Sequence, residues 1–160
     1  MKLTKLLERL EYKVVRGSDQ IEVTELINDS RKVSEGSVFV CISGAVSDGH
    51  SYVAEVAEKG AAAVVVEKDV EAPEGLTVIR VEDTRYALAL MSASYFDYPA
   101  EKLKVIGITG TKGKTTTTYM VKSILEEVGH KVGLIGTIEA LIGDRAIPAS
   151  NTTRSEEHTS

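Results

Sequence analysis

The sequence predicts an α/β chain: a small N-terminal α/β domain followed by the start of a second α/β unit. Three observations carry this. Short apolar runs alternate with segments of helical periodicity from residue 3 to residue 138, a proline-containing polar turn interrupts them at 98–102, and a glycine-rich loop sits between an apolar run and an amphipathic segment. The chain has 160 residues, of which 42% are apolar, enough to bury a core in one ordinary domain or two small ones.

Leu3, Leu6, Leu7 and Leu10 recur at i, i+3, i+4 and i+7, placing one apolar stripe on a short opening helix. Ile21 to Ile27 is broken by acidic residues and reads as weak extended structure. Ser37 to Ile42 is a continuous apolar run of the kind found in a buried strand, which leaves Asp29-Ser30-Arg31 in a connection. Ser51 to Lys59 has Val53, Val56 and Ala57 at helical spacing and ends at Gly60, suited to the left-handed residue that closes a helix. Ala61 to Val66 resumes as strand, Pro73 and Gly75 mark a turn, and Leu76 to Val81 is a further strand. Asp83 is placed to cap a helix running to about Tyr95.

Tyr98-Pro99-Ala100-Glu101-Lys102 is the expected boundary, giving a first domain over residues 1–99. Beyond it, Leu103 to Thr109 reads as a strand. Thr115 to Val128 reads as a helix with Met120, Val121, Ile124, Leu125 and Val128 on one face, and Lys131 to Ile138 as a second strand. Such a βαβ unit predicts two parallel strands joined by a right-handed crossover.

Twenty-four acidic residues against 19 basic ones give a net charge of −5 with no Lys/Arg block, arguing against a nucleic-acid surface. The single cysteine, Cys41, lies inside an apolar run and reads as a buried small hydrophobe; no disulfide framework is available. The N-terminus has no signal-like apolar stretch and no run is long enough to span a bilayer, so the expectation is a cytoplasmic protein without a membrane partner, monomeric.

The richest chemistry lies in Gly110-Thr111-Lys112-Gly113-Lys114-Thr115-Thr116. Glycines let successive backbone N–H groups converge on an anion, and a following helix N-terminus adds unsatisfied donors and the positive end of its dipole. Lys114 would reach the β- and γ-phosphates of a nucleotide, acting as the catalytic cation, and the Thr115 hydroxyl would ligate Mg²⁺. The general pattern Gly-x4-Gly-Lys-Ser/Thr wants glycine at 108, where this chain has Ile108, with glycines at 107 and 110 instead.

The segment Gly107-Ile108-Thr109-Gly110-Thr111-Lys112-Gly113-Lys114-Thr115-Thr116 resembles the phosphate loop of the Mur ligase family, with Lys112 in place of the usual Asn. Folylpolyglutamate and cyanophycin synthetases share a similar loop. Asp29 to Val40, Gly44 and Asp48-Gly49-His50 resemble the first domain of the third and fourth Mur ligases, which binds the UDP end of the substrate. The resemblance makes Ser30 the leading uridine-side residue and His50 a second candidate. Taken alone these pieces read as a turn, a solvated arginine and a loop leading into a capped helix.

Gly136-Thr137-Ile138 and Asn151-Thr152-Thr153 resemble the family member that adds the third amino acid, where the latter segment contacts the muramoyl-dipeptide. Asn151, Thr152 and Thr153 are therefore substrate-side candidates. The resemblance implies a P-loop, Rossmann-like central domain beginning at residue 100 and cut short at 153. It also implies an ATP- and Mg²⁺-dependent ligase that joins meso-diaminopimelate or L-lysine to UDP-MurNAc-L-Ala-D-Glu through an acyl phosphate. The family's other metal ligands and amino-acid-selecting domain lie downstream, so the fragment itself is expected to have little or no ligase activity. Residues 154–160, Arg-Ser-Glu-Glu-His-Thr-Ser, do not fit the pattern and read as a foreign tail. Three other readings stay open: the D-alanyl-D-alanine-adding ligase, a phosphate-loop kinase or NTPase, and a fragment that only binds nucleotide.

Overall fold

The computed structural model describes residues 1–44, 47–143 and 145–148. The chain divides into two compact units, Met1–Lys104 and Val105–Ser160. The segment Pro99–Lys102 is a 3-10 turn at the end of the first unit, so the division falls slightly later than the proline turn.

The first unit is a five-stranded sheet in the order β1-β5-β4-β3-β2, built from β1 (Lys13–Arg16), β2 (Leu26–Ile27), β3 (Val38–Val40), β4 (Ala63–Val66) and β5 (Thr77–Arg80). Strands β2 to β5 run parallel, and β1 joins the β5 edge antiparallel. Side-chain alternation splits the apolar runs between two faces. Val38 and Val40, Ala63 and Val65, and Ile79 pack with Leu3, Leu6 and Leu7 of α1 (Leu3–Leu6 and its capping residue) and with Ala87 and Met91 of α3 (Thr84–Tyr95). Phe39, Val64, Val66 and Val78 pack with Val53 and Val56 of α2 (Val53–Glu58) on the opposite face. This is why the runs at 38–42 and 61–66 are continuous rather than alternating: both faces of these central strands are covered.

Local signals place the ends. Asp83 accepts from the backbone N–H groups of Arg85 and Tyr86 at 2.7 and 3.0 Å and starts α3. Gly60, at φ +92°, closes α2, and an added Cβ would stand 3.2 Å from the Glu35 Cα, so both dihedral and space demand glycine. Strand β1 was not legible in the sequence. Its Lys-Val-Val-Arg pattern is mostly exposed, and it survives as a short edge strand with an irregularity between Val14 and Arg16. The weak extended reading of 21–27 reduces to β2 and an isolated antiparallel bridge between Lys2 and Glu22.

The second unit corrects one expectation. Residues 103–110 form no strand, and β6 (Gly133–Ile135) does not pair in parallel with them; it pairs antiparallel with β7 (Glu139–Ile142), which pairs antiparallel with β8 (Arg145–Pro148). A parallel ladder needs a partner brought alongside by a long crossover, whereas β6 and β7 need only a tight turn, closed by Gly136 N–H donating to the Glu139 carbonyl at 3.1 Å. Helix α4 (Lys114–Glu127) forms as predicted, but its apolar face is only partly used. Val121 and Leu125 are half-buried, whereas Met120, Ile124 and Val128 are exposed, as are Val105 and Ile106 at 73% and 61%.

Candidate functional site

Helix α4 begins at Lys114, and the residue before it, Gly113, has φ +77° and supplies no side-chain cap. The first-turn N–H groups of α4 are therefore left for an external acceptor, and the helix dipole adds positive potential there. Cβ atoms built at Gly107 or Gly113 would meet nothing within 4 Å, and one at Gly110 would meet only the Lys112 carbonyl at 3.6 Å. The loop backbone is thus open to close approach by an anion. Lys114 Nζ donates to the Gly110 carbonyl at 2.7 Å, folding the ammonium back over the loop it follows. Further along, the Thr118 and Ser123 hydroxyls donate to helix carbonyls four residues back, at 2.7 and 3.0 Å. Thr115 stands in the first turn. Thr111, Lys112 and Thr116 are exposed around the same loop.

These residues fit a nucleotide phosphate chain. Lys114 can exchange one carbonyl for phosphate oxygens, and open backbone donors surround it. Among the described residues no group of three His, Cys, Asp or Glu side chains could hold a metal ion. A divalent cation here would take Thr115 as its protein ligand and draw its remaining ligands from phosphate oxygens and water, which suits Mg²⁺.

In the first unit, Ser30 opens a 3-10 turn, Ser30–Lys32, just after β2. Asp29 holds the turn: it accepts from the Arg31 backbone at 3.1 Å and takes the Arg31 guanidinium on both oxygens at 2.9 and 2.8 Å. The Arg31 side chain, with its backbone N–H, keeps the Asp29 carboxyl down at about 2. Lys59 Nζ donates to the Ser30 carbonyl at 2.9 Å, so α2 braces the turn from below.

His50 is buried, its side chain only 3% exposed, and both ring nitrogens are used. Nε2 accepts the Glu67 backbone N–H at 3.1 Å, which leaves Nδ1 to donate to Asp48 Oδ1 at 2.7 Å. The structure therefore gives His50 an internal bracing position. Asp48 is also paired with Lys68, and that ammonium, followed by His50, holds its carboxyl well below the usual carboxylate range.

Sequence reasoning missed Glu67. It is the first polar residue after the buried run of β4, with nothing in its spacing to mark it. Its carboxylate accepts from the Ser43 hydroxyl at 2.6 Å and from the Thr84 backbone and hydroxyl at 3.1 and 2.8 Å. Those donors, Ser43 first, lower its pKa to about 2. Glu67 ties together the carboxyl-terminal ends of β3 and β4 and the start of α3, the same sheet edge from which the Ser30 turn springs. Cys41, buried in the sheet, has its thiol pushed up to about 12 by burial. Asn151, Thr152 and Thr153 lie outside the described residues.

Residues 22–96 match the family described as "Mur ligase family, catalytic domain", and residues 108–159 match "Mur ligase middle domain". The chain belongs to the Mur ligase family. It is 47% identical to the UDP-N-acetylmuramoyl-L-alanyl-D-glutamate–2,6-diaminopimelate ligase of Clostridium perfringens and 49% identical to ligase 1 of that name from Clostridium acetobutylicum. In each case 96% of this chain and 32% of the relative are covered. This Mur ligase chain thus spans about a third of the length of the curated relatives it matches.

Among solved structures, a UDP-N-acetylmuramoyl-L-alanyl-D-glutamate–2,6-diaminopimelate ligase superposes with a TM-score of 0.69 at 21% identity, over 92% of this chain and 30% of that one, a likeness of fold. The MurF ligase of Thermotoga maritima in complex with ADP matches with a TM-score of 0.51 at 28% identity, over 71% and 25%. Among the described residues, no helix is long and apolar enough to cross a membrane.

Proposed function

We propose that this chain is the substrate-end domain and the nucleotide-loop portion of an ATP-dependent ligase. That ligase joins 2,6-diaminopimelate to UDP-N-acetylmuramoyl-L-alanyl-D-glutamate. The observation that carries the nucleotide half is the uncapped start of α4, with Lys114 folded over glycines whose Cβ positions are open. The ADP complex named for the Thermotoga maritima relative supports the same reading. The step itself is favoured by relatives 47% and 49% identical that carry that ligase name.

In this reading ATP and Mg²⁺ supply the activated phosphoryl group. Residues 110–116 bind and orient the phosphate chain, and Lys114 neutralises charge building on the transferring phosphoryl group. The precursor's D-glutamate carboxylate attacks the γ-phosphorus, ADP leaves, and an acyl phosphate forms. The amino-acid amine then attacks the acyl carbon, phosphate leaves, and the amine loses its proton. No side chain of this chain forms a covalent bond. Lys112 adds a second cation beside the loop, Ser30 and the turn held by Asp29 contact the uridine end, and Asn151, Thr152 and Thr153 contact the dipeptide. The protein works in the cytoplasm as a monomer.

The test is phosphate release by the gene product extended to the relatives' length. Release requiring both UDP-N-acetylmuramoyl-L-alanyl-D-glutamate and diaminopimelate supports the reading. Release that instead requires D-alanyl-D-alanine and the tripeptide precursor supports the MurF step, to which the likeness to the Thermotoga structure points. Substrate-independent hydrolysis overturns both in favour of a plain NTPase.

A further inference from the structure

The Gly136–Glu139 turn carries an acid that the nucleotide reading leaves without work. Glu139 Oε1 accepts the Tyr119 hydroxyl at 2.6 Å, and this acceptor raises the pKa of the Tyr119 phenol. Tyr119 sits four residues after Thr115, so the two lie on one face of α4. Thr115, Thr118, Tyr119, Gly136 and Glu139 share the walls of a single cleft of about 10 Å³, room for at most one water-sized species. The Glu139 backbone is itself fixed twice, by the Gly136 N–H and by pairing with Pro148 of β8. A carboxylate on a braced turn thus grips the helix one turn beyond the threonine assigned to the cation.

We propose that Glu139 and Tyr119 form a latch that sets the position of Thr115 for the metal-bound nucleotide. Glu139 is a positioning residue: it acts through Tyr119 and touches neither phosphate nor metal. The inference rests on the nucleotide site proposed above. An O–H···carboxylate bond is among the stronger single contacts available to a side chain, and it is short here. Holding a first-turn hydroxyl matters most where its distance to a cation is critical. Mg²⁺ demands near-ideal octahedral geometry, whereas phosphate bound by backbone N–H groups tolerates more play. The latch should therefore show in the metal-dependent part of nucleotide affinity and not in the metal-free part.

The experiment is ATP titration of the full 160-residue chain by calorimetry, once with excess Mg²⁺ and once with EDTA. Tyr119→Phe and Glu139→Ala are each expected to weaken MgATP binding about fivefold, the size of one ordinary net hydrogen bond, and to leave EDTA-ATP binding unchanged. The double variant should be no weaker than either single one, because both remove the same bond. Glu139→Gln keeps an acceptor for the phenol and should restore most of the affinity. A thermal melt of each variant accompanies the titrations. Tyr119→Phe removes one oxygen only and keeps the test open should Glu139→Ala fail to fold. Variants that bind MgATP like the parent, or that weaken equally with and without metal, overturn the latch. A parent chain that binds no ATP in either buffer overturns the nucleotide site and the latch with it.

Discussion

Replacing Glu67 by Gln tests whether the carboxyl-terminal edge of the first sheet is held by a charge. In the parent, Glu67 gathers three donors, one from Ser43 and two from the fully buried Thr84. A glutamine can still accept from Thr84, but its amide N–H groups then face the Ser43 hydroxyl, which must turn to accept. The variant therefore keeps the shape of the network and loses the charge. A carboxyl lowered from its ordinary 4.5 to about 2 has a linked stabilisation with a ceiling of about 3 kcal/mol. Solvent at the partly exposed carboxylate reduces this to ~1–2 kcal/mol.

The sign follows from the depressed folded-state pKa. The stabilisation is fully present above about 4.5, where the unfolded chain is already ionised, and is lost as pH falls through the window down to about 2. Urea unfolding followed by tyrosine fluorescence at pH 7 should place Glu67→Gln ~1–2 kcal/mol below the parent. At pH 3 the two curves should approach each other by about 1 kcal/mol. Asp29 and Asp48 titrate in both proteins, so they cancel in the difference. Parallel pH profiles from 7 to 3 would refute the idea that the Glu67 charge holds this edge.

Lys114→Ala should weaken MgATP binding by more than about tenfold with an unchanged melting point, because its ammonium lies over the loop and, among the described residues, bonds only an exposed carbonyl. Gly113→Ala should cost about 1 kcal/mol through its positive φ alone, since its Cβ would meet nothing; a melt that shows several times this cost would mean the space is not open. Cys41 should resist a thiol reagent at pH 8 in the folded chain and react fully in urea, and rapid native labelling would contradict a thiol pushed up to about 12. Phe39→Ala should cost ~3–5 kcal/mol in urea unfolding, because its ring is 1% exposed in the cluster under α2.

What the sequence made legible follows the range of the forces involved. Asp83 as a cap, Gly60 as a stop and the buried runs at 38–42 and 61–66 are local signals, and each element forms where its residues say. The glycine-rich turn ahead of α4 was legible for the same reason: its glycines, lysine and threonine are contiguous, and α4 starts directly after them. Pairing partners are not local. The apolar run at 103–109 has the composition of a strand yet no neighbour among the described residues, while β6 found an antiparallel partner a few residues away. The polar network had no local signal either. Glu67, Ser43, Asp48, His50 and Thr84 come from three connections that meet only because β3 and β4 lie side by side in parallel, so that their carboxyl-terminal ends share one edge. His50 shows what this changes: taken alone it reads as part of a loop leading into a capped helix, and the structure fixes that loop by giving the Glu67 N–H to its Nε2 and Asp48 to its Nδ1. The neighbouring Ser30 turn is held through its backbone, with Lys59 Nζ donating to the Ser30 carbonyl at 2.9 Å.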